Sequence, residues 1–371
     1  MTLAAWLHDL DPFALRLGPG IGLRWYGLSY AAAFVLGWVI LRWLGKRGAT
    51  RIPPSLAGDA ILSIVVGVVV GGRLGYVFFY DPSLLTAFSA EPPFWGVLAL
   101  HRGGMASHGG MIGVILAAFV IARRVNSEAG RVDVGVRGAG DGGHGVGRVP
   151  VLHVLDTLAL LAPTGLLLGR IANFINGELL GRIVAMPGLP SPWWAVKFPN
   201  EVLTEHDPGR LMDPQAAADR LDALDRVVGV TGPSFEVAYE RMLERLRHPQ
   251  SAADRTLGEQ IGPLISARHP SQLYQAVAEG VVLGAVLWLM ARRARRPGTI
   301  GAWFLIVYGV LRVATEHWRL PDGHLAVKTI AGLSRGQWLS VVMVVAGAAA
   351  LAIIRRRNAP AMGGWARHGA S

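Results

Sequence analysis

Cysteine is absent from all 371 residues, which excludes disulfides, thiolate metal sites and a cysteine nucleophile. Charge is also scarce: Asp, Glu, Lys and Arg make up 16% of the chain, against about 25% in soluble domains. Residues 1–20 lack a basic start followed by an apolar core, so no cleavable signal peptide is expected. No internal repeat is visible, which argues against a transporter built of inverted halves. No basic region is interleaved with base-stacking aromatics outside the apolar runs, so nucleic acid is not expected as a partner. The histidines show no metal-ligand spacing, and neither a metal nor an organic cofactor is expected.

What the chain does have is apolar length. Hydrophobic residues make up 52% of it, with a mean hydropathy of +0.39. Seven runs approach the roughly 20 residues that cross a bilayer. They cover about 25–44, 57–80, 104–122, 151–169, 273–291, 300–315 and 337–354. The expectation is an all-α polytopic membrane protein, one integral membrane domain over 1–371, with an extracytoplasmic insertion between spans 4 and 5.

Basic residues orient it. Arg42, Lys46, Arg47 and Arg51 follow span 1, and Arg123, Arg124, Arg131, Arg137 and Arg148 lie between spans 3 and 4. Arg292, Arg293, Arg295 and Arg296 join spans 5 and 6, and Arg355, Arg356 and Arg357 follow span 7. With seven spans these clusters share one side, which the positive-inside rule makes cytoplasmic. The N-terminus is then outside, the C-terminus inside, and the formal net charge of +11 suits an anionic inner leaflet. Residues 126–150 hold a glycine-rich stretch and read as a flexible cytoplasmic loop. Residues 171–270 form the external segment, in which Phe235, Tyr239, Met242 and Leu246 recur at helical spacing. That amphipathic helix either rests on the membrane surface or packs on the span bundle.

The densest signal is the run from Gly169 to Arg182, where Arg170, Asn173, Asn176 and Glu178 arrive together, spaced by glycines, as the fourth apolar run ends. Polar groups at membrane depth are costly and mark function by default. In the seven-span arrangement Tyr26, Arg73, His108, Arg170, Asn173, Tyr274, Arg312 and Glu316 all fall towards the external face. Arginine binds phosphate through a planar fork, so a cationic cavity for an anionic phospholipid headgroup is expected there. Arg312 and Glu316, four apart, are placed for an intrahelical ion pair. Asp156 and Glu279 lie inside spans and receive no role.

The motifs resemble the bacterial prolipoprotein diacylglyceryl transferases. The pieces, in family order, are Trp25-Tyr26-Gly27, Gly71-Gly72-Arg73-Leu74-Gly75-Tyr76, Gly103 through Gly110 around His108, Gly169 through Arg182, Arg268-His269-Pro270-Ser271-Gln272-Leu273-Tyr274, and Tyr308-Gly309 through Arg312 and Glu316 to Asp322. The resemblance implies transfer of diacylglyceryl from phosphatidylglycerol to a lipobox cysteine of a prolipoprotein signal peptide, at the bacterial cytoplasmic membrane. It attaches activity to Tyr26, His108, Arg170, Asn173, Glu178, Gly181, Tyr274, Arg312 and Glu316. Within that reaction His108, Tyr26, Arg170 and Arg312 are the expected catalytic residues, with His108 suited to take the thiol proton. Arg73, Asn173, Asn176, Glu178, Gly181, Tyr274 and Glu316 are the expected substrate-binding set. Leu180, His101-Arg102 and His317-Trp318 depart from the family pattern. Another phospholipid-headgroup transferase, or a lipid or anion transporter, is the alternative.

The orientation is testable because the chain has no cysteine of its own. A membrane-impermeant thiol reagent applied to intact cells should label Ser234→Cys and spare Ser371→Cys. The opposite pattern inverts the topology.

Overall fold

The computed structural model describes residues 5–18, 21–100, 103–136, 148–229, 234–320, 329–330 and 333–366. Among them, seven helices are long and apolar enough to cross a membrane: Trp25–Lys46, Pro54–Phe79, His108–Glu128, Val151–Asn176, Ser271–Met290, Thr299–Glu316 and Gly336–Arg356. The corresponding elements are α1 (Trp25–Lys46), α2 (Ala57–Phe79), α3 (Ser107–Val136) and α4 (Val151–Asn176). After three further helices, α5 (Pro214–Val228), α6 (Phe235–Arg247) and α7 (Ala252–Ile261), come the last spans. The fifth span is broken into α8 (Ser271–Gln275), a π-helical segment (Ala276–Val282) and α9 (Leu283–Met290). The sixth and seventh are α10 (Thr299–Glu316) and α11 (Arg335–Arg356).

One expected boundary moves. The loop expected from residue 126 begins as helix, since α3 continues to Val136. Residues 137–147, the glycine-rich core of that loop, lie outside the described residues, as do His101, Arg102, Pro321, Asp322 and Ser371.

Short strands join the helical frame. β1 (Trp6–Leu7), β5 (Val196–Lys197), β6 (Ala267–Arg268) and β4 (Ile183–Ala185) form a sheet in that order. β1 pairs parallel to β5, and the other pairs are antiparallel. β2 (Phe13–Gly18) with β3 (Ile21–Arg24), and β7 (Thr329–Ile330) with β8 (Leu333–Ser334), are antiparallel hairpins. Strands of two or three residues are too short to show an alternating pattern, so the sequence carries no signal for them.

The chain divides into two compact units. The first comprises Met1–Ala32, Gly165–Leu283 and Val307–Val344. Its extramembrane core gathers Leu224, Tyr239, Met242, Leu243, Leu257, Ile261 and Ile265, with Leu7 and Val202 packed against it. The amphipathic α6 therefore turns its apolar face neither to lipid nor to the span bundle, but onto α5 and α7. Ser234 caps α6 through the Val237 N–H, and Ser251 with Asp254 makes a capping box on α7.

The second unit comprises Ala33–Thr164, Gly284–Ile306 and Val345–Ser371. Leu41, Ile52, Ala57, Ala118, Ile121, Val154 and Leu158 form its core. Here α2 and α3 cross almost backbone to backbone: a Cβ on Gly67 or Gly71 would run into the carbonyls of Gly113 and Gly109. Helices in a membrane gain little from burying apolar surface, and small residues let them approach for dispersion contact instead. Asp156 of α4 finds its purpose in this unit. It accepts from the N–H groups of Gly298 and Gly301, both at 2.7 Å, and so caps the start of α10 from a neighbouring span.

Candidate active site

In the first unit, Arg170 near the end of α4 reaches the fifth span. Its Nε and Nη2 donate to Oε2 of Glu279 at 3.1 and 3.0 Å. Glu279 is fully buried, and its Oε1 lies 3.7 Å from Nη1 of Arg312 on α10. Arg312 is held on its other side by Glu316, one turn along, at 3.2 Å, and Arg319 lies 3.7 Å from the same carboxylate oxygen. Tyr308, one turn before Arg312, interacts with Arg170 as well. One carboxylate from span 5 thus ties together arginines from spans 4 and 6.

Backbone geometry makes this possible. Glu279 sits within the π-helical segment, and the next residue, Gly280, packs on span 4. A Cβ at Gly280 would lie 2.6 Å from Cβ of Leu167. The wider turn re-aims the side chains, and the glycine lets the span close on α4; π-turns of this kind concentrate at functional sites. Three guanidiniums (Arg170, Arg312, Arg319) against two carboxylates (Glu279, Glu316) leave one formal positive charge. Oε1 of Glu279 and Nη1 of Arg312 are buried and lack hydrogen-bond partners among the described residues. A buried donor left open beside excess positive charge is suited to an anionic oxygen.

The rest of the Gly169–Arg182 run is engaged with itself. Glu178 receives Nδ2 of both Asn173 and Asn176, each at 3.3 Å. Leu179 adopts φ 55°, which is strained for a branched residue, and turns the chain from α4 towards β4. Residues from just before and within the fifth span hold this turn. Arg268, fully buried, donates to the Gly181 carbonyl at 3.1 Å and to Glu201 at 2.6 Å. Ser271 donates to the Leu179 carbonyl at 3.2 Å, and the Gln272 amide to that of Glu178. A Cβ at Gly181 would collide with the His269 carbonyl. On its other side Gly181 bridges Arg319, with Arg182 N–H donating to the Trp318 carbonyl and Leu320 N–H to that of Leu180. Gly181 therefore acts through its backbone. Tyr274 packs edge-on against Trp318 and against His269, whose ring also lies 5.2 Å from that of Trp194. Burial, with His317 nearby, lowers the His269 pKa. Tyr26 is half-buried, with its hydroxyl 3.3 Å from that of Tyr30.

Arg73 and His108 belong to the second unit. Arg73 was expected to meet substrate, but its guanidinium is spent on backbone. It donates to the carbonyls of Gly96, Val97, Gly103 and Gly104 at 2.6–3.0 Å, and only 6% of it is exposed. It is a latch on the segment that leads into α3, where His108 is exposed in the first turn. A side chain at Gly104 would strike Arg73 and Tyr76, and Gly103 and Gly104 both sit at positive φ, 81° and 79°.

The structure thus brings together Arg170, Arg312 and Glu316, groups Asn173, Asn176 and Glu178, and locks Gly181 and Tyr274 beside them in the chain. Sequence reasoning missed Glu279, Tyr308 and Arg268. Tyr308 was legible from its four-residue spacing to Arg312. Glu279 was visible as an intramembrane carboxylate, but its partners lie on other spans, and no local pattern names them. Among the described residues, no group of His, Asp and Glu is placed to hold a metal ion.

His8 ties the N-terminal strand to this region. Its Nε2 lies 2.7 Å from the Phe174 carbonyl, among the rings of Trp6, Phe174 and Phe198. Burial, aided by Arg247, pushes its pKa down from 6.5 to about 4.

The comparisons with known proteins agree on one group. A model of the family described as prolipoprotein diacylglyceryl transferase matches residues 12–353. A phosphatidylglycerol–prolipoprotein diacylglyceryl transferase of Bdellovibrio bacteriovorus is 38% identical over 97% of this chain and 97% of that protein. One from Ralstonia pickettii is 36% identical over 94% and 95%, and one from Neisseria gonorrhoeae 35% identical over 92% and 94%.

The His8 contact predicts a pH dependence. Between about 6.5 and 4 the unfolded chain binds the proton and the folded chain does not, so stability is full above that window and falls as the pH drops through it. The shift corresponds to up to roughly 3 kcal/mol. Unfolding of the detergent-solubilised protein should lose stability from pH 7 to pH 4 more steeply in the parent than in His8→Gln. Equal slopes would remove His8 from the account.

Proposed function

The chain belongs to the prolipoprotein diacylglyceryl transferase family, and from that premise we propose that it transfers the diacylglyceryl group of phosphatidylglycerol to the lipobox cysteine of a prolipoprotein, the first step of bacterial lipoprotein maturation. The observation that carries the reading to particular residues is the pair of arginines from two spans sharing one buried carboxylate.

In the reaction the peptide sulfur forms a bond to a glyceryl carbon. The carbon–oxygen bond to phosphate breaks, its electron pair stays on the phosphate oxygen, and glycerol phosphate leaves. The thiol proton passes to a base. The substrate brings the sulfur, so a cysteine-free enzyme lacks nothing for this chemistry. Charge develops on the departing phosphate, and donors fixed in advance where charge appears stabilise the transition state most. Arg170 and Arg312 supply those donors; Glu279 and Glu316 hold them. A phosphodiester monoanion neutralises the single excess charge of the cluster, whereas the released monoester carries more than the cluster balances, which favours departure of the product. His108 takes the thiol proton: histidine is the side chain most often used as a general base, and a thiol of pKa about 8.5 needs such help. That assignment rests on its motif and chemistry. The bilayer is the bacterial cytoplasmic membrane, with the N-terminus outside and the arginine cluster towards the outer leaflet. The support is the arginine clusters that follow spans 1, 3, 5 and 7.

Purified protein incubated with phosphatidylglycerol and a lipobox peptide should yield a diacylglyceryl adduct on the peptide cysteine by mass spectrometry. Arg170→Ala and Arg312→Ala should each slow it by about tenfold or more, and Arg→Lys should restore it only in part, because the planar fork is lost. Parental rates in both alanine variants would refute the assignment of the phosphate site, and no adduct from the parent would refute the activity.

A further inference from the structure

One side chain beside the arginine cluster is left in a costly state. Gln275 is fully buried at the end of α8, and neither Nε2 nor Oε1 of its carboxamide has a hydrogen-bond partner among the described residues. Gln272, also fully buried, spends its Nε2 on the Glu178 carbonyl, but its Oε1 is likewise unpartnered. Buried carboxamides are almost always paired, and an orphaned one needs a reason. Residues 272, 275 and 279 lie at spacings of three and four, on one face of the fifth span. The face that ends in Glu279, between the two arginines, therefore begins with two carboxamides, one half-satisfied and one without a partner among the described residues. The buried Oδ1 of Asn176 is unpartnered as well.

We propose that Gln275, with Gln272, forms a hydroxyl-reading subsite that selects the donor lipid by the polyol end of its headgroup. The proposal rests on the transferase reading and adds to it. A carboxamide offers both donors and an acceptor, and a hydroxyl can answer both at once. An ammonium headgroup can only donate and leaves Nε2 unpaired; a trimethylammonium answers neither. Position fits too. One helical turn, about 5 Å, separates Gln275 from Glu279. A phosphate seated on Arg170 and Arg312 would carry its glycerol along this face, within reach of the amides. The anionic phosphate is thereby recognised by charge, and the alcohol by hydrogen bonding.

Phosphatidylethanol separates the two, since it keeps the anionic phosphodiester and lacks the free hydroxyls. Transfer to the lipobox peptide is measured with phosphatidylglycerol and with phosphatidylethanol, for the full-length parent and for Gln275→Met. The parent should prefer phosphatidylglycerol in kcat/KM by about 100-fold or more, as sites built around a substrate hydroxyl do. Gln275→Met should lose about tenfold or more with phosphatidylglycerol while phosphatidylethanol changes by less than about twofold, so the preference collapses. The lipid-free thermal midpoint of Gln275→Met should hold or rise, because an apolar side chain of similar size removes an unsatisfied buried amide. A group retained only for structure would give the reverse. Gln275→Asn, which withdraws the amide by one methylene, should show the same donor-selective loss should the Met variant not fold. A parent that uses both donors equally, or variants that slow both alike, would overturn the subsite and leave the transferase standing. A parent that forms no adduct from either donor removes both.

Discussion

Glu279 carries a carboxylate into the middle of the fifth span, fully buried, where an unpaired charge would be prohibitively expensive. It is tolerated because Arg170 and Arg312 arrive from spans 4 and 6 to meet it. The dependence runs both ways. Two guanidiniums brought to one place at membrane depth would repel, and the carboxylate between them lets both stay charged and fixed in direction. Much of the first unit can be understood as holding this junction. The π-turn aims Glu279, Gly280 lets the span close on Leu167, and Glu316 restrains Arg312 from its far side.

The second half of the Gly169–Arg182 run shows how the extramembrane layer serves the same end. The turn through Leu179 is strained, and three groups hold it, one from β6 and two from the start of the fifth span: Arg268 on the Gly181 carbonyl, Ser271 on that of Leu179, Gln272 on that of Glu178. Residues 318–320 tie to the same turn from the opposite edge. Spans 4, 5 and 6 are thus joined in their connecting segments as well as through side chains. Backbone strain that its surroundings over-determine in this way is a feature that recurs at functional sites in general.

The seven apolar runs were legible because crossing a bilayer imposes length and composition on contiguous residues. The pairing of Arg312 with Glu316 was legible for a similar reason, since four residues on a helix fix proximity. The partners of Glu279, Asp156 and Arg73 were not, for one shared reason. Asp156 caps α10 from α4, Glu279 pairs with arginines on two other spans, and Arg73 is consumed by carbonyls well beyond it in the chain. Each partner is far away in sequence, and an intramembrane charge announces only that some partner exists. The short strands escaped because elements of two or three residues carry no period. The orientation of α6 escaped because its apolar face reads the same whether it meets lipid, spans or its neighbours α5 and α7.

The central claim is that Glu279 acts through the arginines it holds, and a double-mutant cycle on transfer from phosphatidylglycerol tests that most directly. The rates compared are those of the parent, Glu279→Gln, Arg170→Ala and the pair combined. If the carboxylate serves to position Arg170, its loss should matter far less once Arg170 is gone, with a coupling of about 1–3 kcal/mol between the two sites. Effects that simply add, within about 0.5 kcal/mol, would mean that Glu279 and Arg170 work independently. The shared carboxylate would then not be what organises the site.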